Sequence, residues 1–62
     1  MNQYDIKRIR IDSNLLQSEF AKIIGVATHT VSMWERGKMG LSIRNKRKII
    51  EFCNKYGIEA EA

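Results

Sequence analysis

The chain contains no proline, one cysteine, one histidine and no apolar run approaching a membrane span. Without proline, nothing forces a break inside a helix. A single cysteine rules out an internal disulfide, and one cysteine with one histidine falls short of a structural zinc site. No stretch alternates at period two over a strand length, which argues against a sheet. No charged, apolar and small-residue succession resembles a signal peptide. A reducing, cytoplasmic setting is therefore expected, with no membrane, metal, cofactor or small-molecule ligand. Catalytic signatures are missing too: there is no paired-carboxylate context, no Ser-His-Asp arrangement and no glycine-rich phosphate loop. The lone histidine, His29, has no acid within its own helical turn.

What is present is helix-forming. Sixty-two residues suffice for one domain, residues 1–62, with a small core and modest stability. The pattern predicts an all-α fold of four helices, with at most a short fifth turn. The first spans about Gln3 to Asp12, with Asn2 as its cap and Ile6 and Ile9 facing inward. Asp12-Ser13-Asn14 is turn-like. The second spans about Gln17 to Ile24, with Leu16, Phe20, Ala21 and Ile24 on its inner face and Gly25 as its stop. The third runs from about Thr28 to Arg36. The fourth begins after Gly40, capped by Ser42, and ends near Tyr56, with Gly57 as the stop. Its buried stripe is expected to be Ile49, Ile50, Cys53 and Tyr56, with Phe52 at the edge. Cys53 is read as a small core residue.

Residues 17–36 carry the functional signal. Two short helices meet at Gly25, and too few residues separate them for anything but a steep crossing. Ala21 is small enough to let the backbones approach. At about 3.6 residues per turn, Thr28, His29, Ser32, Met33 and Arg36 share one side of the third helix. Val31 and Trp34 take the other, with Glu35 at the border. An ordinary surface helix is also amphipathic. The tight junction before it favours a helix-turn-helix, whose second helix occupies the DNA major groove.

Gln17, Ala21, Gly25, Val26, Val31, Trp34, Glu35 and Gly37, with Arg10 on the first helix, resemble the Cro/CI-type (XRE-type) helix-turn-helix repressors. The resemblance covers about residues 5 to 58. It implies a DNA-binding domain that occupies an operator as a symmetric dimer. It departs from the family at three places. Leu16 stands where a capping Ser or Thr is usual. Ala27 replaces the usual cap of the recognition helix, leaving Thr28 to serve one residue later. The loop after Gly37 is longer than usual and lacks proline.

Charge supports a polyanionic partner. The net charge is +4. Between Arg36 and Lys48 stand six basic residues and no acid: Arg36, Lys38, Arg44, Lys46, Arg47 and Lys48. Such a run can be a merely solvated face. Its place directly after the recognition helix favours phosphate contact. Glu51, Glu59 and Glu61 make the C-terminal end acidic.

The expected roles are as follows. Thr28, His29, Ser32 and Met33 read bases. Gln17, Arg36, Lys38 and Arg44 contact the backbone, Gln17 with help from the helix N-terminus it opens. Arg10, one turn beyond Ile6, sends its stem toward the core, and Glu35 borders the apolar face beside Trp34. An ion pair between them is expected, and the resemblance implies the same pair. The expected partner is double-stranded DNA, bound by a weak homodimer formed mainly on DNA through Tyr56, Ile58 and the end of the fourth helix. Other readings are a protein-interaction module of antitoxin or antirepressor type, and a mobile-element factor that bends DNA.

Overall fold

Asn2 opens the first helix by accepting hydrogen bonds from the Tyr4 and Asp5 amides, while Asp5 accepts from the Asn2 amide. This reciprocal cap satisfies the amides that every helix start leaves orphaned. In the computed structural model, which describes residues 1–60, four helices follow one another: α1 (Gln3–Asp12), α2 (Gln17–Ile24), α3 (Thr28–Glu35) and α4 (Ile43–Tyr56). Glu61 and Ala62, including the Glu61 contribution to the acidic end, lie outside the described residues. The described residues form no strand, and residues 58–60 form no fifth helix. None of the described helices is long and apolar enough to cross a membrane.

The core takes Ile6 and Ile9 from α1, Phe20, Ala21 and Ile24 from α2, and Val31 and Trp34 from α3. Ile49, Phe52 and Cys53 come from α4. These are i, i+3 and i+4 sets, so each helix presents one stripe inward. Phe20 and Phe52 meet edge to face, with ring centroids 5.2 Å apart. Cys53 is buried, and desolvation raises its thiol pKa, as for an inert core thiol.

Three expected core positions are corrected, and one edge position proves to be core. Leu16 is 66% exposed. It is the N-cap of α2 with extended backbone (φ −72°, ψ 160°), so it leaves the helical face it was counted on, and Leu15 packs against the core instead. On α4, Phe52 is core and Tyr56 is 50% exposed, while Ile50 is half-buried. Phe52 wins the inner position because Phe20 faces it. Tyr56 only leans on the Phe52 ring, 4.5 Å away.

The helix starts differ in quality. Ser42 caps α4 by accepting from the Asn45 amide at 3.1 Å. α2 has half a capping box: the Glu19 carboxylate accepts the Leu16 amide, and Leu16 offers nothing in return. α3 has Ala27 at its N-cap position and so lacks a side-chain cap. Thr28, expected to cap it, already lies inside the helix, and α3 ends at Glu35 with Arg36 as its C-cap. Each missing cap forgoes about 1 kcal/mol.

One ion pair joins the first helix to the third. Arg10 donates from Nε to Glu35 Oε2 at 2.7 Å and from Nη2 to Oε1 at 2.9 Å. Its Nη1 donates to the Leu15 carbonyl at 2.9 Å, which ties down the α1–α2 turn as well. The side chains are 14% and 5% exposed. Burial alone would raise the Glu35 carboxyl pKa. Hydrogen bonds from Arg10 and Gln17, with the charges of Arg10 and Lys7, outweigh burial and hold it below the usual value. The bond to Glu35 raises the Arg10 guanidinium pKa in turn.

Breaking such a pair on one side strands a buried charge. Glu35→Ala is expected to cost about 3–5 kcal/mol, most of what a small domain has. Replacing Arg10 and Glu35 together with Met and Leu should recover much of that loss. The pair also predicts a pH dependence. The folded carboxyl titrates below its unfolded value, so its stabilisation is complete above the unfolded pKa of about 4.3 and is lost as pH falls through the folded one. The gap in melting temperature between the protein and Glu35→Gln should therefore narrow below about pH 4. A Glu35→Ala melt identical to the parent would contradict the account.

Candidate nucleic-acid interface

Gly25 makes the turn between α2 and α3 possible. Its φ of 91° is left-handed, and its amide closes α2 on the Ala21 carbonyl at 2.8 Å. A side chain there would be strained. After Gly25 only Val26 and Ala27 remain before α3. The short link, with Ala21 fully buried at the crossing, pins α3 across α2.

With Val31 and Trp34 consumed by the core, the opposite side of α3 is set. Thr28 and His29 are exposed in its first turn, and Ser32 and Met33 are half-exposed one turn on. Arg36 continues this face and lies back along it, its Nη2 donating to Met33 Sδ at 3.2 Å. The residues expected to read bases thus form one outward surface of donors, acceptors and a thioether. The first amides of α3 point out of its uncapped start.

The residues expected on the backbone flank this surface. Gln17 opens α2 and is half-buried. Its Nε2 donates to Glu35 Oε1 at 3.3 Å, so its amide is held rather than free. Lys38 is exposed just beyond Gly37. Arg44 is exposed on a separate element, the first turn of α4, and no hydrogen bond ties it to α3. That turn holds no acid, and Arg44 and Lys46 crowd the positive end of the α4 dipole. Cations there are unfavourable by a few tenths of a kcal/mol. A bound anion would offset this.

Two contacts had no signal in the residue pattern. The Gln17–Glu35 bond arises only when α2 and α3 cross. Arg8 clamps the chain end, donating from Nη2 to the carbonyls of Glu59 at 2.8 Å and Ala60 at 3.2 Å. The Arg36–Met33 contact, at a spacing of three, was available from helical geometry.

The family model described as helix-turn-helix matches residues 6–59. The chain belongs to the helix-turn-helix family. Its type within that family is the XRE, Cro/CI-like one. No curated protein matches the chain. A helix-turn-helix domain of this type binds double-stranded DNA sequence-specifically and is of the transcription-regulator kind.

The six cations between Arg36 and Lys48 set the expected salt response. If about five or six phosphates are neutralised per copy, log affinity should fall against log salt with a slope of roughly −5. Affinity unchanged between low and physiological salt would exclude this surface as a phosphate-binding one.

Proposed function

We propose that the protein is a small cytoplasmic repressor that occupies a palindromic operator and blocks polymerase. The single observation that carries the reading is the two-sided α3, with Val31 and Trp34 buried and Thr28, His29, Ser32 and Met33 facing out. In this reading α3 lies in the major groove. Thr28, His29 and Ser32 hydrogen-bond to base edges, and Met33 or the Thr28 methyl packs on a thymine methyl. Gln17 and the first amides of α2 hold one phosphate, while Arg36, Lys38 and Arg44 hold its neighbours.

One copy reads only a few base pairs. Specificity calls for two copies, one recognition helix per half-site, spaced by about one helical turn. Tyr56 and Ile58 at the end of α4 supply the interface in this proposal. Tyr56 is half-exposed, and Ile58 packs only partly on the core. So small a patch makes a weak homodimer that forms mainly on DNA.

Alanine substitutions separate readout from anchoring. Replacing Thr28, His29, Ser32 or Met33 should shift preference at one or two base positions by about 1–3 kcal/mol. Lys38→Ala should weaken all sequences alike. Measured binding to a panel of single-base variants checks both. The assignment is overturned if Lys38→Ala alters preference and His29→Ala does not.

A further inference from the structure

The α1 face that meets α3 carries an exposed cation, Lys7, that no hydrogen bond or ion pair holds among the described residues. Gln3, Lys7 and Arg10 recur at i, i+4 and i+7, so they line one side of α1. The two outer members are placed by contacts. The Gln3 carboxamide lies so close to Gly37 that a Cβ built there would overlap it. Arg10 holds Glu35 through two hydrogen bonds. Lys7 therefore stands beside the Glu35–Gly37 segment, where α3 ends. It is exposed and makes no ion pair or hydrogen bond among the described residues. Its charge acts on the Glu35 carboxyl, which agrees with that placement. Glu35 in turn bonds Gln17, so the carboxylate on which Lys7 acts joins the start of α2 to the Arg36–Lys38 end of α3.

We propose that Lys7 is a DNA-backbone contact: from α1, its ammonium neutralises one phosphate and links the Gln17 contact to those of Arg36 and Lys38. The inference rests on the DNA-binding mode proposed above and extends its phosphate track to a helix outside the helix-turn-helix. Gly37 lies at this junction. Its φ of 69° strains any larger residue, which would also push the Gln3 carboxamide aside.

The test compares Lys7→Gln, Lys38→Gln and Lys22→Gln with the parent on a high-affinity duplex over a range of salt. Lys22 is exposed in the last turn of α2, at the opposite end of that helix from Gln17, and serves as a control cation. Lys7→Gln should melt close to the parent, because the side chain is exposed and its charge is the smallest of the influences on Glu35. It should bind every duplex several-fold more weakly at moderate salt, keep the same base preferences, and show a salt slope shallower by about one. Lys7→Arg should restore both affinity and slope. An unchanged slope for Lys7→Gln, with a shallower one for Lys38→Gln, overturns the Lys7 contact and leaves the binding mode standing. An equal loss for Lys22→Gln overturns it too, since the effect would then be one of net charge. Unchanged slopes for both Lys7→Gln and Lys38→Gln overturn the binding mode itself.

Discussion

The bidentate pair between Arg10 and Glu35 fixes the placement of the other parts. α1 and α3 share no sequence neighbourhood, and what joins them besides a small shared core is this pair. A fork of two short hydrogen bonds, 2.7 and 2.9 Å, sets their angle where non-directional packing would leave it loose. The same guanidinium holds the Leu15 carbonyl, and the same carboxylate holds Gln17. One ion pair therefore positions α1, the α1–α2 turn and the start of α2 around the end of α3. Because Glu35 is nearly buried, this arrangement is either complete or costly, and few intermediate geometries are tolerated.

From that constraint follows a division of labour on α3. It is eight residues long, too short to be stable alone, so it depends on Val31 and Trp34 for its existence. Its remaining positions are free for other use. The uncapped start and the exposed Thr28 and His29 are poor choices for a helix that serves only stability. The first turn of α4 repeats the theme, with cations where the dipole disfavours them. Both departures become reasonable when an anion with base edges lies against that side.

Much of this was readable from the residues. Asn2, Ser42, Gly25 and Gly57 mark helix ends by local chemistry, and those ends fall where the chain places them. Ile6, Ile9, Val31 and Trp34 are inward by periodicity alone. The errors occur where tertiary packing or backbone conformation overrides periodicity. Leu16 counts as inward only if it is helical, and a cap residue is not. Phe52 and Tyr56 both lie on the inner half of α4, and Phe20 decides between them. Thr28 reads as a cap until Ala27 is seen to hold the N-cap position and Thr28 the first helical one. Of the site, the grouping of Thr28, His29, Ser32 and Met33 needs only about 3.6 residues per turn. The hold of Glu35 on Gln17 and the place of Lys7 need the crossing of three helices.

The most direct test of the account is selection of bound sequences from a random pool of duplex DNA, with the stoichiometry of the best complex measured. A surface that reads bases from one helix per copy predicts two inverted copies of a short half-site, centred about one helical turn apart, and two chains per duplex. No enriched sequence, or a single unrepeated half-site carrying one chain, would contradict it.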